Sequence, residues 1–83
     1  MHNNIYIIYN VLSKRYGDVV AYPSDAFAAR RLSEVYKDHP EHLKEMELCR
    51  IGSVSIETGV VTPHDPIRID LDVDPDSPLS LNE

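Results

Sequence analysis

The segment Pro23-Ser-Asp-Ala-Phe-Ala-Ala-Arg-Arg-Leu-Ser-Glu-Val-Tyr-Lys37 decides the fold, because it is the one stretch with a convincing helical period. Ser24 can cap this helix, since its hydroxyl can accept a backbone N–H bond from the first turn. Asp25 adds a negative charge at the positive end of the helix dipole. The apolar residues, flanked by Phe27, fall on one face at i, i+4, i+7 and i+8: Ala28, Leu32, Val35 and Tyr36. Such a stripe must be covered by a sheet or a second helix.

Two strands are predicted before the helix. Asn3–Leu12 is rich in β-branched and aromatic residues, and Val19–Tyr22 has the same character over a shorter length. A polar turn, Ser13–Asp18, separates them, with Gly17 available for a positive φ. Both faces of the first strand are largely apolar. The helix can cover only one of them, so the other face requires a second cover from this chain or from a partner.

Four elements are predicted after the helix: a helical turn at Pro40–Lys44, a strand at Glu45–Val54, a turn at Ser55–Gly59 with Gly59 left-handed, and an antiparallel return at Val60–Thr62. Pro63 and Pro66 are expected to end regular pairing, which leaves Ile67–Ile69 as a short edge strand. The predicted fold class is therefore α+β, in the order ββα-ββ. One main helix packs on an antiparallel sheet of about four strands.

Charge is distributed unevenly along the 83 residues, which carry 14 acidic and eight basic side chains and a net charge of -6. This balance argues against a uniformly basic nucleic-acid binder. Residues 70–83 hold five of the acids and no base, so the rest of the chain is close to neutral. The sequence predicts a single domain over residues 1–70 and a disordered acidic tail over 71–83.

The order of several short motifs resembles a known family. The motifs are His39-Pro40-Glu41, Leu48-Cys49-Arg50-Ile51-Gly52 and Thr58-Gly59, which follow the tyrosine-rich first strand and the Pro-Ser-Asp-Ala helix start. Together they resemble the small nonstructural protein of gokushoviruses, the single-stranded DNA phages of the microvirus family, over roughly residues 4–69. The chain departs from the family pattern at His42, at Cys49 and at Ile56-Glu57.

The resemblance implies a function, since members of that family are commonly described as DNA-binding proteins. It therefore implies binding to single-stranded phage DNA, mostly independent of sequence, during genome replication or packaging. A single cysteine and the lack of a signal-like apolar run indicate an intracellular protein, and with the resemblance this becomes the host bacterial cytoplasm. The family provides no binding residues that can be transferred to this chain.

Candidate DNA-binding residues are therefore chosen from their charge and predicted position. They are two cations and one aromatic residue in the first turn and three cations on the helix: Lys14, Arg15, Tyr16, Arg30, Arg31 and Lys37. Cations bind the phosphate backbone and exposed aromatic rings stack on bases. Tyr16 is the preferred stacking residue because no strand period requires it to point inward.

Catalysis and metal binding have little support. His39 and His42 are three residues apart, and Cys49 or Glu45 would have to complete a zinc site without any CxxC or HExxH pattern. Cys49 with a histidine could form a nucleophilic pair, but a mid-strand cysteine more often packs as a small apolar residue. We therefore expect no enzyme activity, no cofactor and no metal.

An alternative function is a small dimeric regulator that binds a phage or host replication protein without contacting DNA. The acidic tail favours this alternative, because it repels phosphate. The tail could instead occupy a basic groove until DNA displaces it. In both cases a homodimer is expected, with Asn3–Leu12 contributing to the interface, because a small core leaves the first strand's second face uncovered.

Overall fold

The computed structural model describes residues 1–71 of the chain, so the predicted tail lies outside the described residues from position 72 onward. Six elements follow one another: β1 (His2–Asn10), β2 (Arg15–Tyr22), α1 (Asp25–Val35), α2 (Pro40–Leu43), β3 (Met46–Ser55) and β4 (Val61–Ile69). The four strands form one antiparallel sheet in the order β2-β1-β3-β4. The α+β prediction is confirmed.

Helix α1 begins as the sequence predicts. Ser24 is the N-cap in an extended conformation, and its hydroxyl accepts the backbone N–H of Phe27 at 3.1 Å. The buried face differs from the predicted stripe, because it holds Ala29 as well as Ala28 and Leu32, whereas Val35 is 58% exposed. The buried face keeps Ala28 and Leu32 but extends toward the start of α1, where the Asp25 carboxylate accepts from Arg50 of the sheet.

The core lies between α1 and the two central strands. Tyr6 of β1 and Leu48 of β3 are the largest fully buried side chains, and they pack with Ala28 and Leu32. A ring of half-buried apolar side chains surrounds this centre: Ile8, Val20, Tyr22, Tyr36, Leu43, Ile69 and Leu71.

The first hairpin is tighter than predicted. β2 starts at Arg15, so most of the predicted polar turn Ser13–Asp18 is strand. Lys14, and not Gly17, takes the positive φ, at 60°. The strand tolerates its polar residues because a register shift between the Ile7 and Tyr9 pairings inserts an extra residue into β2, as in a β-bulge.

The last strand is longer than predicted. Val61–Ile69 forms one strand, although Pro63 and Pro66 lie within it. Prolines are tolerated there because β4 is an edge strand and one side of its backbone has no ladder to complete. Gly52 permits the close approach of β3 and β4, since a Cβ at this position would lie 2.6 Å from the carbonyl oxygen of Thr62. Gly59 turns the chain into β4 with φ at 74°, as predicted.

The face of the sheet opposite α1 has no covering layer within residues 1–71. Residues that pair across antiparallel strands share a face, and neighbours along a strand alternate. By this rule, six apolar or aromatic residues lie on the side opposite α1, which we call the open face: Ile5, Ile7, Tyr9, Tyr16, Val19 and Cys49. The uncovered second face expected for the first strand is therefore present.

Candidate nucleic-acid interface

The tip of the β1–β2 hairpin presents two of the predicted DNA contacts. Asn10 shapes the turn, because its side-chain oxygen accepts the backbone N–H groups of Leu12 and Ser13, each at 2.9 Å. The backbone N–H of Lys14 donates to the carbonyl of Asn10 at 2.8 Å. Lys14 and Arg15 follow this turn and are both exposed. Arg15 pairs with Asn10 and so belongs to the sheet face that α1 covers.

A groove runs between α1 and β2 on that same side of the sheet. It consists of two adjoining cavities of about 170 and 220 Å³, whose linings share Ile8, Asp18 and Tyr36. Arg31 lines the first cavity and Arg15 lines the second. Tyr16 also lines the second cavity, so three of the six predicted residues, from two elements, lie along one groove.

The electrostatics of this groove are mixed. Asp18 lies between the two arginines, and the guanidinium of Arg31 is 3.7 Å from the carboxylate of Glu34 on the same helix. That ion pair is solvent-exposed, so it restrains Arg31 by only about 0–1 kcal/mol and leaves it able to bind a phosphate. Arg30 and Lys37 are exposed on or just after α1 and line neither cavity.

Tyr36 is the aromatic residue that the two cavities share, with Tyr22 in the first and Tyr16 in the second, and it is not among the predicted DNA contacts. It follows α1 as its C-cap and lines both cavities. Its ring meets His42 edge-on with centroids 6.2 Å apart, and His42 stacks on His39 at 5.3 Å. The helical period predicted that Tyr36 lies on the apolar face of the helix and packs in the core. In the structure, Tyr36 packs against the core and also forms part of the groove wall.

Tyr16 does not lie in a loop, so the reason for preferring it as the stacking residue was wrong. It is in β2, pairs with Tyr9 and packs against that ring at a centroid distance of 4.8 Å. Its side chain is 54% exposed, and the register places it on the open face although the residue also lines the second cavity of the groove. Arg15, Tyr16 and Arg31 thus line the groove, the other three predicted residues do not, and a role for Tyr16 in DNA binding stays a prediction.

A polar network joins the start of α1 to the centre of the sheet. The carboxylate of Asp25 accepts from the phenol of Tyr6 at 2.7 Å and from the guanidinium of Arg50 at 2.6 Å. Asn4 donates to the phenol oxygen at 3.1 Å. Burial, reinforced by the hydrogen bond to Asp25, raises the pKa of Tyr6 to about 12. Because Arg50 pairs with Asp25 in this network, we assign it a structural role and do not include it among the candidate DNA contacts.

The remaining chemistry-bearing side chains form no site that we can recognise. Within residues 1–71, no group of three or more His, Cys, Asp or Glu side chains could hold a metal ion. Cys49 is buried, and burial together with the nearby Glu47 raises the pKa of its thiol, which disfavours the nucleophilic thiolate. No helix of this part of the chain is long and apolar enough to cross a membrane.

Comparison with known proteins gives one match. The family described as Phage ORF5 protein matches residues 3–72, which includes both helices and all four strands except the first residue of β1. No curated protein and no solved structure matches the chain. Because the match extends over most of the sequence, the chain belongs to the Phage ORF5 protein family.

Proposed function

We propose that this phage protein binds single-stranded DNA, mostly without sequence preference, during genome replication or packaging in the host cytoplasm. The observation that carries the proposal is the groove in which Arg15, Arg31 and Tyr36 line two adjoining cavities. Membership of a phage family supports a role in the phage cycle. The resemblance to the nonstructural proteins of gokushoviruses favours DNA as the ligand.

Phosphate contacts would provide most of the affinity. Five exposed cations are candidates for these contacts: Arg15 and Arg31, which line the groove, and Lys14, Arg30 and Lys37, which do not. If a single strand engages all five, log affinity should fall against log salt with a slope of about -3.5. That slope corresponds to a loss of about 100-fold between roughly 50 and 200 mM salt. Asp18 and Glu34 lie among these cations, so the affinity should be modest.

Base stacking is assigned to Tyr36 in this proposal. An aromatic residue that shares a groove with two arginines can contact a base whose phosphates the arginines hold, and stacking contributes about 1–3 kcal/mol per base. Tyr16 pairs with Tyr9 on the open face but also lines the second cavity of the groove, so it is a second stacking candidate. Tyr16→Ala should weaken DNA binding without changing the salt slope, because no counterion-releasing contact is lost.

The test is a fluorescence anisotropy titration of a labelled single-stranded oligonucleotide with charge-removal variants. Lys14→Ala/Arg15→Ala should reduce the steepness of the salt slope by about 1.4, because two counterion-releasing contacts are lost. Lys44→Ala is the control, since Lys44 is an exposed cation that lines neither cavity of the groove. Equal slopes for the double variant and the wild type would exclude the hairpin tip from the interface.

A second candidate function is a dimeric regulator that binds a phage or host replication protein. The open face favours it, because Val19 and Tyr16 on the edge strand β2 and their apolar neighbours on β1 lie uncovered and could form the dimer that this function requires. Association with a protein partner depends mainly on buried apolar area and should change little with salt. The regulator would be preferred if the protein retains a partner in high salt and shows no salt-sensitive DNA binding.

A further inference from the structure

The composition of the open face is unusual for an antiparallel sheet. When one face of such a sheet packs on a core, the other is normally polar and solvated. Here β1 places Ile5, Ile7 and Tyr9 on it, and Val19 of β2 is 58% exposed beside Ile7. On β3, Cys49 belongs to the same face, because it pairs with Ile7. Contiguous apolar surface of this kind marks a contact with another molecule.

Charge on this face favours a protein partner over DNA. Among the strand residues in register, only Glu47 and Arg68 bring charge to this side, and their side chains are 3.9 Å apart. Their charges cancel, so the face offers no excess positive charge to a phosphate backbone. It also raises no electrostatic barrier against an identical face, although the chain as a whole carries a net charge of -6.

The size of the face matches what a dimer requires. Four strands spaced about 4.8 Å apart, each about eight residues long at about 3.4 Å per residue, give a projected area of about 500 Å². Two such faces would together bury about 1,000 Å² or more, which meets the minimum for a specific interface and corresponds to a dimer at the weak end of the usual range. Sheets pack face to face at about 10 Å in this way when their inner faces are apolar.

We infer that the open face is the docking surface for a second copy of this chain, giving a symmetric sheet-on-sheet dimer centred on β1 and β3. In a two-fold contact the same residues meet from both sides, so Ile7, Cys49 and Val19 are buried in both copies at once. The α1–β2 groove lies on the other side of each sheet. Dimerisation therefore leaves both grooves accessible, and the inference does not depend on DNA binding.

The test compares two valines with the same exposure on opposite sides of the protein. Val19 on the open face and Val35 on α1 are each 58% exposed, so replacing either by lysine removes little packing within one copy. Oligomeric state is measured by sedimentation velocity of the full chain from about 1 to about 100 µM, since mass action governs the dimer. We expect a wild-type dimer, at least ten-fold weaker association for Val19→Lys, and no change for Val35→Lys.

Three outcomes would overturn the inference. The first is a wild-type monomer throughout that range, and the second is equal weakening by the two lysine variants. The third is a wild-type monomer that dimerises once residues 72–83 are deleted, which would make that segment the occupant of the face. Circular dichroism verifies folding; if Val19→Lys is unfolded, Val19→Thr replaces it, because threonine keeps the β-branched shape.

Discussion

Replacing Asp25 by alanine should destabilise the protein far more than removing an ordinary surface charge. The phenol proton of Tyr6 has Asp25 as its acceptor and is buried, so losing that acceptor should cost about 1–3 kcal/mol. The ion pair with Arg50 is partly exposed, with side chains 28% and 38% accessible, so it adds about 0.5 kcal/mol. The lost charge at the helix start adds about 0.3–1 kcal/mol.

These contributions together predict a loss of about 2–4 kcal/mol in the free energy of unfolding. For a domain of this size, about 1 kcal/mol shifts Tm by about 4–8 °C, so Tm should fall by at least about 8 °C. Thermal unfolding followed by circular dichroism measures the shift. Asp38→Ala is the matched control, because Asp38 is an exposed acid in the turn after α1.

A companion variant separates the parts of the network. Tyr6→Phe removes the phenol donor but leaves Asp25 paired with Arg50, so it should cost only about 1 kcal/mol. The double variant should cost less than the sum of the single losses, because the two side chains share one bond. The reasoning fails if Asp25→Ala shifts Tm no more than Asp38→Ala.

Three further predictions follow from the fold. Ser24→Ala should lower the free energy of unfolding, measured in urea, by about 1 kcal/mol, because the backbone N–H of Phe27 loses its capping acceptor. An unchanged free energy of unfolding would mean that the cap is dispensable. In a spectrophotometric titration, one tyrosine should ionise last, near pH 12. Because folding raises the pKa of Tyr6, its stabilising contribution is complete below about pH 10. That contribution is lost progressively as pH rises toward 12, and a Tyr6→Phe variant should lack both effects. Truncation after Leu71 should leave Tm nearly unchanged, because the shortened chain retains Leu71, which packs on the core. The same truncation should strengthen DNA binding at low salt. A large drop in Tm would show that the removed segment contributes to the fold.

The sequence predicts the parts of the fold that local chemistry controls. Ser24 as N-cap, Pro40 at the start of α2 and Gly59 at positive φ each depend on the residue itself and are found in the structure. The extents of β2 and β4 depend on which strands are their neighbours. Polar residues near Gly17 and prolines at 63 and 66 suggested breaks, but a bulge and an edge position accommodate them.

The candidate sites were less predictable, because they combine residues that are distant in sequence. The bond between Asp25 and Arg50 spans 25 positions, and no local pattern pairs the two. Arg15 and Arg31 line one groove only because α1 lies alongside β2, and no local pattern predicts that neighbourhood. The apolar second face of β1 was predictable from its own residues, since alternation alone assigns them.

The central claim is binding of single-stranded DNA through exposed cations, and the salt dependence of that binding tests it most directly. We predict that anisotropy titrations of the full chain and of the chain truncated after Leu71 both show affinity falling steeply with salt, by about 100-fold between roughly 50 and 200 mM if all five cations engage. Absence of salt-sensitive binding in both chains would contradict the claim and leave the protein-interaction function in its place.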